Sequence, residues 1–336
     1  MLNNIYKAKT VLVTGASGLI GSNLVERLLQ FNGINVIALG RDVRRMQRVF
    51  GTQLANPALK LVEHDISVPL PVSLGRVDFV FHAAGPISGQ TIRNDPLSVV
   101  SANLKGLVNC LDYCVRQRSD MGLAGTVVVF SSATVYGNIH KEKAILGENE
   151  TSMAEVLDSP TAPYSESKRM IEVIARAYVV QHGLAVKIAR FSYVYGYCKM
   201  PPATAFYEFI AKALKGEDLV FKQSGFARRD NIFVNDAVSG VLHVCEHGIS
   251  GEAYNVSSCG EGGNFVAIDE IATEIANVAN AYGGRTIKVV VPDFRTRYPG
   301  AVLDNAKLAN LGWRPTTSLV DGVRRVYEAY AHETLS

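Results

Sequence analysis

Three residues of this chain have the types and spacing to move a proton off and onto an alcohol: Ser132 in FSSATVYG, Tyr164 in PYSESK, and Lys168 four residues later. A spacing of four puts Tyr164 and Lys168 on one face of a helix. An ammonium beside a phenol favours phenolate, which lowers the tyrosine's pKa toward the working pH and makes it a usable general base or acid. Ser132 can hydrogen-bond the same substrate oxygen. A hydroxyl held there can lose its proton while its carbon gives up hydride, or the reverse, provided a hydride carrier lies alongside.

The stretch VTGASGLIGSNLVERLL, from Val13, is suited to holding such a carrier. A strand runs into Gly15, Gly18 and Gly21 and then into a helix whose apolar stripe is Ile20, Leu24, Val25 and Leu28. Glycines there let the backbone turn tightly and approach a pyrophosphate, whose charge is stabilised by amides at the helix N-terminus. The G-x-x-G-x-x-G spacing is also what an ordinary glycine-rich turn between strand and helix would show.

These motifs need a scaffold, and the rest of the first half supplies one. Short β-rich runs alternate with amphipathic stretches: TVLVTG then GSNLVERLLQF, NVIAL then VRRMQRVF, LKLVEHDI, VDFVFHAAG then LSVVSANLKGLVNCLDYCVRQ, TVVVFSS, and YSESKRMIEVIARAYVVQHG before AVKIARFSYVYG. The alternation predicts an α/β fold, a Rossmann-type doubly wound parallel sheet. The strands are nearly all apolar, as they must be when helices cover both faces. After Tyr195 the pattern becomes irregular, with a Pro-Pro at Pro201 and Pro202. Residues 1–195 are therefore expected to form the dinucleotide-binding domain, with a returning segment near 228–247. Residues 196–336 are expected to form mainly a smaller, partly interleaved substrate lobe.

The chain resembles the extended short-chain dehydrogenase/reductase family, the nucleotide-sugar epimerases and dehydratases, over nearly its full length. The matching segments are TGASGLIG, HDI at Asp65 and Ile66, FHAAG, NLKG at Asn103, SSATVYG, YSESK, RRDNIFVNDAV and LGWRP near Trp313. The resemblance implies a nicotinamide dinucleotide held by Gly15, Ser17, Gly18, Leu19, Ile20, Gly21, Arg41, Asp65, Ile66, Ala83, Ala84, Gly85 and Asn103, with Tyr164 and Lys168. It implies Ser132, Tyr164 and Lys168 as the catalytic set. It implies a nucleotide-diphosphate sugar met by Thr134, Tyr193, Arg229, and Arg295 or Arg297, guanidinium groups being matched to phosphate; Arg228 is taken as a solvated surface residue. It further implies a homodimer through a four-helix bundle built from the helices around Asn103–Gln117 and Tyr164–Gln181, and a role in making surface-polysaccharide precursors.

Within the family, sugar 4,6-dehydratases carry acidic residues at the two positions after the one aligned with Ser132. This chain has Ala133 and Thr134, and an alanine cannot move a proton. The decarboxylases of UDP-glucuronate resemble it in HAAGPISG, NDPLSVV and RTRYPG, but commonly carry glutamate where Thr134 stands. ATVYG is what many hexose 4-epimerases have, so a 4-epimerase is expected, with an NADPH-dependent ketosugar reductase and then a decarboxylase as alternatives. A catalytically silent dinucleotide sensor is the alternative from another class. Tyr193 replaces the asparagine of the relatives' RxFNxxGP. Relatives that bind NAD usually end the second strand with Asp, which holds the ribose hydroxyls. Here Gly40 stands there, followed by Arg41, Arg44 and Arg45, which favours NADP(H) over NAD(H), with Asp42 able to turn toward the ribose instead.

Composition narrows the classes. The net charge of +3 over 336 residues, with arginines in short clusters, gives no nucleic-acid surface. No run of eighteen apolar residues appears and the N-terminus lacks the apolar core of a signal peptide, so no membrane partner and a cytoplasmic setting are expected. Five cysteines argue against a disulfide framework. Cys110 and Cys114 sit four apart with no second ligand pair, so packing is expected and no metal.

Overall fold

The computed structural model describes residues 5–85, 89–123, 125–137, 144–150, 153–221, 225–284, 286–292, 296–298 and 300–335. In chain order the strands used below are β1 Thr10–Thr14, β2 Asn35–Gly40, β3 Leu59–Glu63, β4 Phe79–His82, β5 Thr126–Ser132, β6 Ile145–Leu146, β7 Ala185–Phe191, β8 Tyr193–Tyr195, β9 Leu219–Val220, β10 Gly225–Ala227, β11 Arg229–Phe233, β12 Ala253–Val256 and β13 Phe265–Val266. The helices are α1 Leu19–Leu28, α2 Val43–Phe50, α3 Gly89–Asn94, α4 Pro96–Met121, α5 Ala162–His182, α6 Ala205–Leu214, α7 Val234–His247 and α8 Ile268–Ala281.

Seven parallel strands form one sheet in the order β12-β7-β5-β4-β1-β2-β3. This is the doubly wound Rossmann-type architecture. Successive side chains of a strand point to opposite faces, and the apolar strands use both. Val11, Val13, Val36, Ala38, Val128 and Phe130 enter one core with residues of α1, α2 and α7, whereas Leu12, Ile37, Leu39, Val127 and Val129 enter a second with α4 and α5. Cys110 and Cys114 lie buried in that second core, where burial pushes the Cys114 thiol up to about 12. Pro96 and the Asp95 cap start α4, Pro163 opens α5, and left-handed Gly122 and Gly183 end them.

A third core, of Tyr195, Phe206, Phe209, Ile210, Phe233, Ile271, Ile275 and Val323 among others, belongs to the later part of the chain. After it begins, the chain returns to the main sheet: α7 packs with α1, and β12 pairs with β7. The edge strand β12 lies beyond the segment 228–247 that the sequence suggests as returning. Its segment AYNV is only four residues long and includes the polar Asn255, so it does not stand out. Among the described residues no helix is long and apolar enough to cross a membrane, and no group of three or more His, Cys, Asp or Glu side chains is placed to hold a metal ion.

At the sheet's centre, His82 is 1 % exposed, with Nδ1 3.0 Å from the Thr14 hydroxyl oxygen, which also accepts from the Ala84 N–H at 3.2 Å. Burial first, and the nearby Lys168 charge second, hold this imidazole down at about 3. A histidine depressed in the folded state takes no proton where the unfolded chain does, so stability is lost as pH falls below the unfolded value near 6.5. The expected loss is about 1.4 kcal/mol per pH unit over that range. Urea titrations of wild type and His82→Gln between pH 7 and 5 check it: the wild-type midpoint should fall more steeply, and parallel curves would remove His82 as the cause.

Candidate active site

A cavity of about 560 Å³ opens at the C-terminal ends of β1, β4, β5 and β7, the crevice where an open parallel sheet binds its ligands. At one end, Gly15 sits in the left-handed region at φ 65°, and a Cβ built on it would lie 2.8 Å from Ala84 Cα. A Cβ on Gly21 would lie 2.3 Å from the Gly15 carbonyl oxygen, so this glycine is what lets α1 close onto the loop. Gly18 donates to the Gly15 carbonyl at 3.0 Å and caps α1 with no side chain, leaving the first-turn amides for an anion. Ser17, Leu19, Ile20, Asp65, Ile66, Ala83, Ala84 and Gly85 line the same cavity. Asp65 accepts from Ser67 N–H at 2.9 Å, and this bond, more than the Arg41 charge, holds its carboxyl below the usual range.

Arg41 and Arg45 both line the far end, and Arg45 donates to the Met200 carbonyl at 3.3 Å. Asp42 is not turned toward the ribose: its carboxylate caps α2 by accepting from the Arg45 N–H at 2.8 Å. Gly40 faces Met46, whose Sδ would be 3.0 Å from an added Cβ, so a carboxylate at this position has to displace the thioether.

At the other end stand the three residues of the proton-transfer set. Ser132 closes β5, and Tyr164 and Lys168 occupy successive turns of α5, the arrangement that their spacing predicts. Lys168 is 6 % exposed, donates to the Phe130 carbonyl at 2.8 Å, and has Nζ 5.8 Å from the centre of the Tyr164 ring. Burial pulls its ammonium down to about 8. The expectation that the Tyr164 pKa lies below its ordinary value is corrected by the structure. Burial raises the phenol, the Ser132 hydroxyl works against that by hydrogen-bonding it, and the Lys168 ammonium, 5.8 Å from the ring centre, does not overcome the burial. Asn103 does not line the cavity itself. Its Nδ2 donates to Ser167 at 2.8 Å, and its Oδ1 is buried without a partner, directed to the space beside Gly85 that a Cβ would fill.

Thr134 lines the cavity with its Oγ1 buried and unpartnered, and Tyr193 lines it at the start of β8. Arg229 is exposed and outside the cavity lining, its guanidinium 5.2 Å from the Tyr193 ring centre. Arg228, expected as a solvated surface residue, has a side chain 41 % exposed, and it also donates to the Phe265 carbonyl at 2.7 Å and stacks on that ring, linking the residue before β11 to β13. Arg295 lies outside the described residues, as does the side chain of Arg297, whose backbone pairs with Phe226. Sequence reasoning missed His64, Ser192, Thr204 and Tyr207, which also line the cavity. His64 is the first residue of the quoted HDI and Ser192 lies beside Tyr193, whereas Thr204 and Tyr207 come from a segment with no spacing signal.

Comparison with known proteins points to one family. The model of the NAD dependent epimerase/dehydratase family matches residues 11–257. UDP-glucuronic acid decarboxylase 6 of Arabidopsis thaliana is 27 % identical over 95 % of this chain and 88 % of its own length, and UDP-glucuronic acid decarboxylase 1 of Danio rerio is 27 % identical over 97 % and 73 %. The solved UDP-glucose 4-epimerase of Thermotoga maritima, in complex with UDP-glucose, superposes with a TM-score of 0.78 at 23 % identity, covering 97 % of this chain and all of that one. The Bordetella bronchiseptica enzyme WbmF, in complex with NAD+ and UDP, gives 0.73 at 25 % identity, covering 99 % and 95 %. With residues 11–257 matched, a span that includes the glycine loop and the Ser-Tyr-Lys set, the chain belongs to the NAD-dependent epimerase/dehydratase family of nucleotide-sugar enzymes.

Proposed function

We propose that the protein is a nucleotide-sugar 4-epimerase that works by transient oxidation of one sugar hydroxyl. The observation that carries this reading is the proton-transfer inventory of the cavity. Among the described lining residues the one carboxylate is Asp65, at the dinucleotide end, and elsewhere the lining offers the hydroxyls of Ser132, Thr134, Tyr164, Tyr193, Thr204 and Tyr207 and the Lys168 ammonium. Oxidation, rotation and re-reduction need one proton shuttle, whereas elimination of water needs a further acid or base. The glycine cradle and the orphaned Asn103 oxygen fit a nicotinamide dinucleotide, held by the Gly15–Gly21 loop, Asp65, Ala84, Asn103, Tyr164 and Lys168. When bound, that group supplies the hydride acceptor and a cationic ring that favours phenolate. Tyr164 then takes the hydroxyl proton and returns it, Ser132 holds the same oxygen, and Lys168 stabilises the charge left on the phenol.

Incubation with UDP-, dTDP-, GDP- and CDP-hexoses, followed by NMR, tests the reading: epimers should form without added reductant. A pentose product with loss of carbon dioxide would favour the decarboxylase reading, which the names of the curated relatives support. Strict consumption of NADPH would favour the reductase.

The cofactor reading favours NADP(H), supported by Gly40 packed on Met46, by Asp42 held in the α2 cap, and by Arg41 and Arg45 at the far end of the cavity. We also propose a homodimer through α4 and α5, supported by Leu97, Met170, Val173 and Val180 standing exposed on these helices. Light scattering at micromolar concentration should give twice the 36.4 kDa chain mass; a monomer there would end that proposal.

A further inference from the structure

Three consecutive residues of β5 each hold a different turn of α5. The Phe130 carbonyl accepts from Lys168 Nζ at 2.8 Å, the Ser131 hydroxyl donates to Glu172 Oε1 at 2.5 Å, and the Ser132 hydroxyl bonds the Tyr164 phenol. Glu172 follows Lys168 by four residues, which makes the two side chains neighbours on the helix. Arg190 of β7, the register partner of Ser131, donates to both Glu172 oxygens at 2.7 to 3.3 Å. The same guanidinium donates to the Tyr136 hydroxyl at 3.0 Å, which donates in turn to Asn255 Oδ1 at 2.8 Å. Glu172 belongs to no motif singled out from the sequence, Arg190 stands at the arginine of RxFNxxGP without having been given a role, and no step of the proposed reaction uses either.

Building on the functional reading above, we propose that Glu172 is a positioning residue that keeps Lys168 cationic beneath Tyr164, its carboxylate fixed by Arg190 and Ser131. A lysine this enclosed tends to shed its proton, and the Glu172 charge opposes that loss. Without it the ammonium becomes a neutral amine and no longer stabilises phenolate. The other groups around Lys168 do not supply the charge. From its own helix comes the Tyr164 phenol, from β4 the neutral His82, and from α4 the uncharged Asn103. Arg190 stands behind Glu172 with the opposite sign. The Arg190 pair also explains why a carboxylate is tolerated here: an unpaired one would be desolvated at a cost.

The test is the pH profile of turnover on the sugar nucleotide that wild type accepts, whose alkaline limb reports Lys168 losing its proton. Glu172→Gln should move that limb down by about one pH unit, the size expected for one charge a helical turn away. Turnover at pH 6, where Lys168 stays protonated, should remain within a few-fold of wild type. Glu172→Asp keeps the charge and should restore the limb. Ser131→Ala removes the hydrogen bond but no charge and should leave the limb in place, whatever its turnover. An unmoved limb in Glu172→Gln, or an equal loss at every pH, overturns the proposal. If Glu172→Gln leaves Arg190 unpaired and does not fold, Glu172→Gln with Arg190→Gln carries the same prediction, since the nearer of two opposite charges outweighs the farther. Titration of Lys168 by NMR in lysine-labelled protein reads the same displacement with no substrate present. A protein inactive on every sugar nucleotide would thus defeat the functional reading, while the titration still decides the role of Glu172.

Discussion

Tyr164→Phe is expected to lower kcat by roughly 10²–10⁴-fold, the usual contribution of a positioned general acid or base. The substitution removes one oxygen from a ring that already packs inside the cavity, so the change in volume is small and dinucleotide affinity should hold. The lost atom is the one that Ser132 bonds and the one the substrate hydroxyl must meet. Because burial raises the phenol while Ser132 and Lys168 favour its ionised form, the residual activity of the variant should also lose the acid limb of the pH profile. Measuring kcat and KM with the accepted sugar nucleotide, alongside the thermal midpoint and dinucleotide affinity, separates these effects. A variant that kept more than a tenth of wild-type turnover would show that another group moves the proton. A variant that lost dinucleotide binding would show instead that the phenol is mainly a scaffold for the cofactor.

The second large effect concerns the far end of the cavity. Arg41 follows Gly40 there, and one charge-assisted contact between its guanidinium and a 2′-phosphate is worth about 1.5–3 kcal/mol, or roughly ten- to a hundredfold in Kd. Titration of the protein with NADP(H) and NAD(H) should therefore show the phosphorylated form bound better by about that factor. Changing Gly40→Asp together with Arg41→Ala should reverse the preference, since the pair adds a ribose acceptor and a repulsive charge while deleting the attractive one. The structure adds a condition: the new Cβ presses on Met46 Sδ at 3.0 Å, and only the flexible end of that side chain can give way. A wild-type protein that prefers NAD(H), or that is purified already saturated with it, would refute the reading of the arginines. It would also strengthen the epimerase reading, because an enzyme that returns its hydride each turn has no need to exchange its cofactor.

What the sequence determined by itself is what depends on local spacing. Tyr164 and Lys168 had to share a helix face because helical geometry brings residues four apart together. The apolar runs had to become buried parallel strands because covered sheets take apolar residues on both faces. Gly15 and Gly21 announced a close backbone approach, which the 2.8 Å and 2.3 Å contacts of an added Cβ now measure. What only the tertiary structure decided depends on groups distant in the chain. That burial outweighs Lys168 at the Tyr164 phenol, that Asp42 serves α2, and that Arg228 holds Phe265 could not be read from neighbours in sequence. The Ser131–Glu172–Arg190 network is the plainest case. Its members come from β5, α5 and β7, separated by 41 and 18 positions, and they meet only because the sheet sets those strands side by side and lays the helix across them. Spacing can specify one element's face, but which charge stands opposite it, and how much water remains between them, is settled by packing.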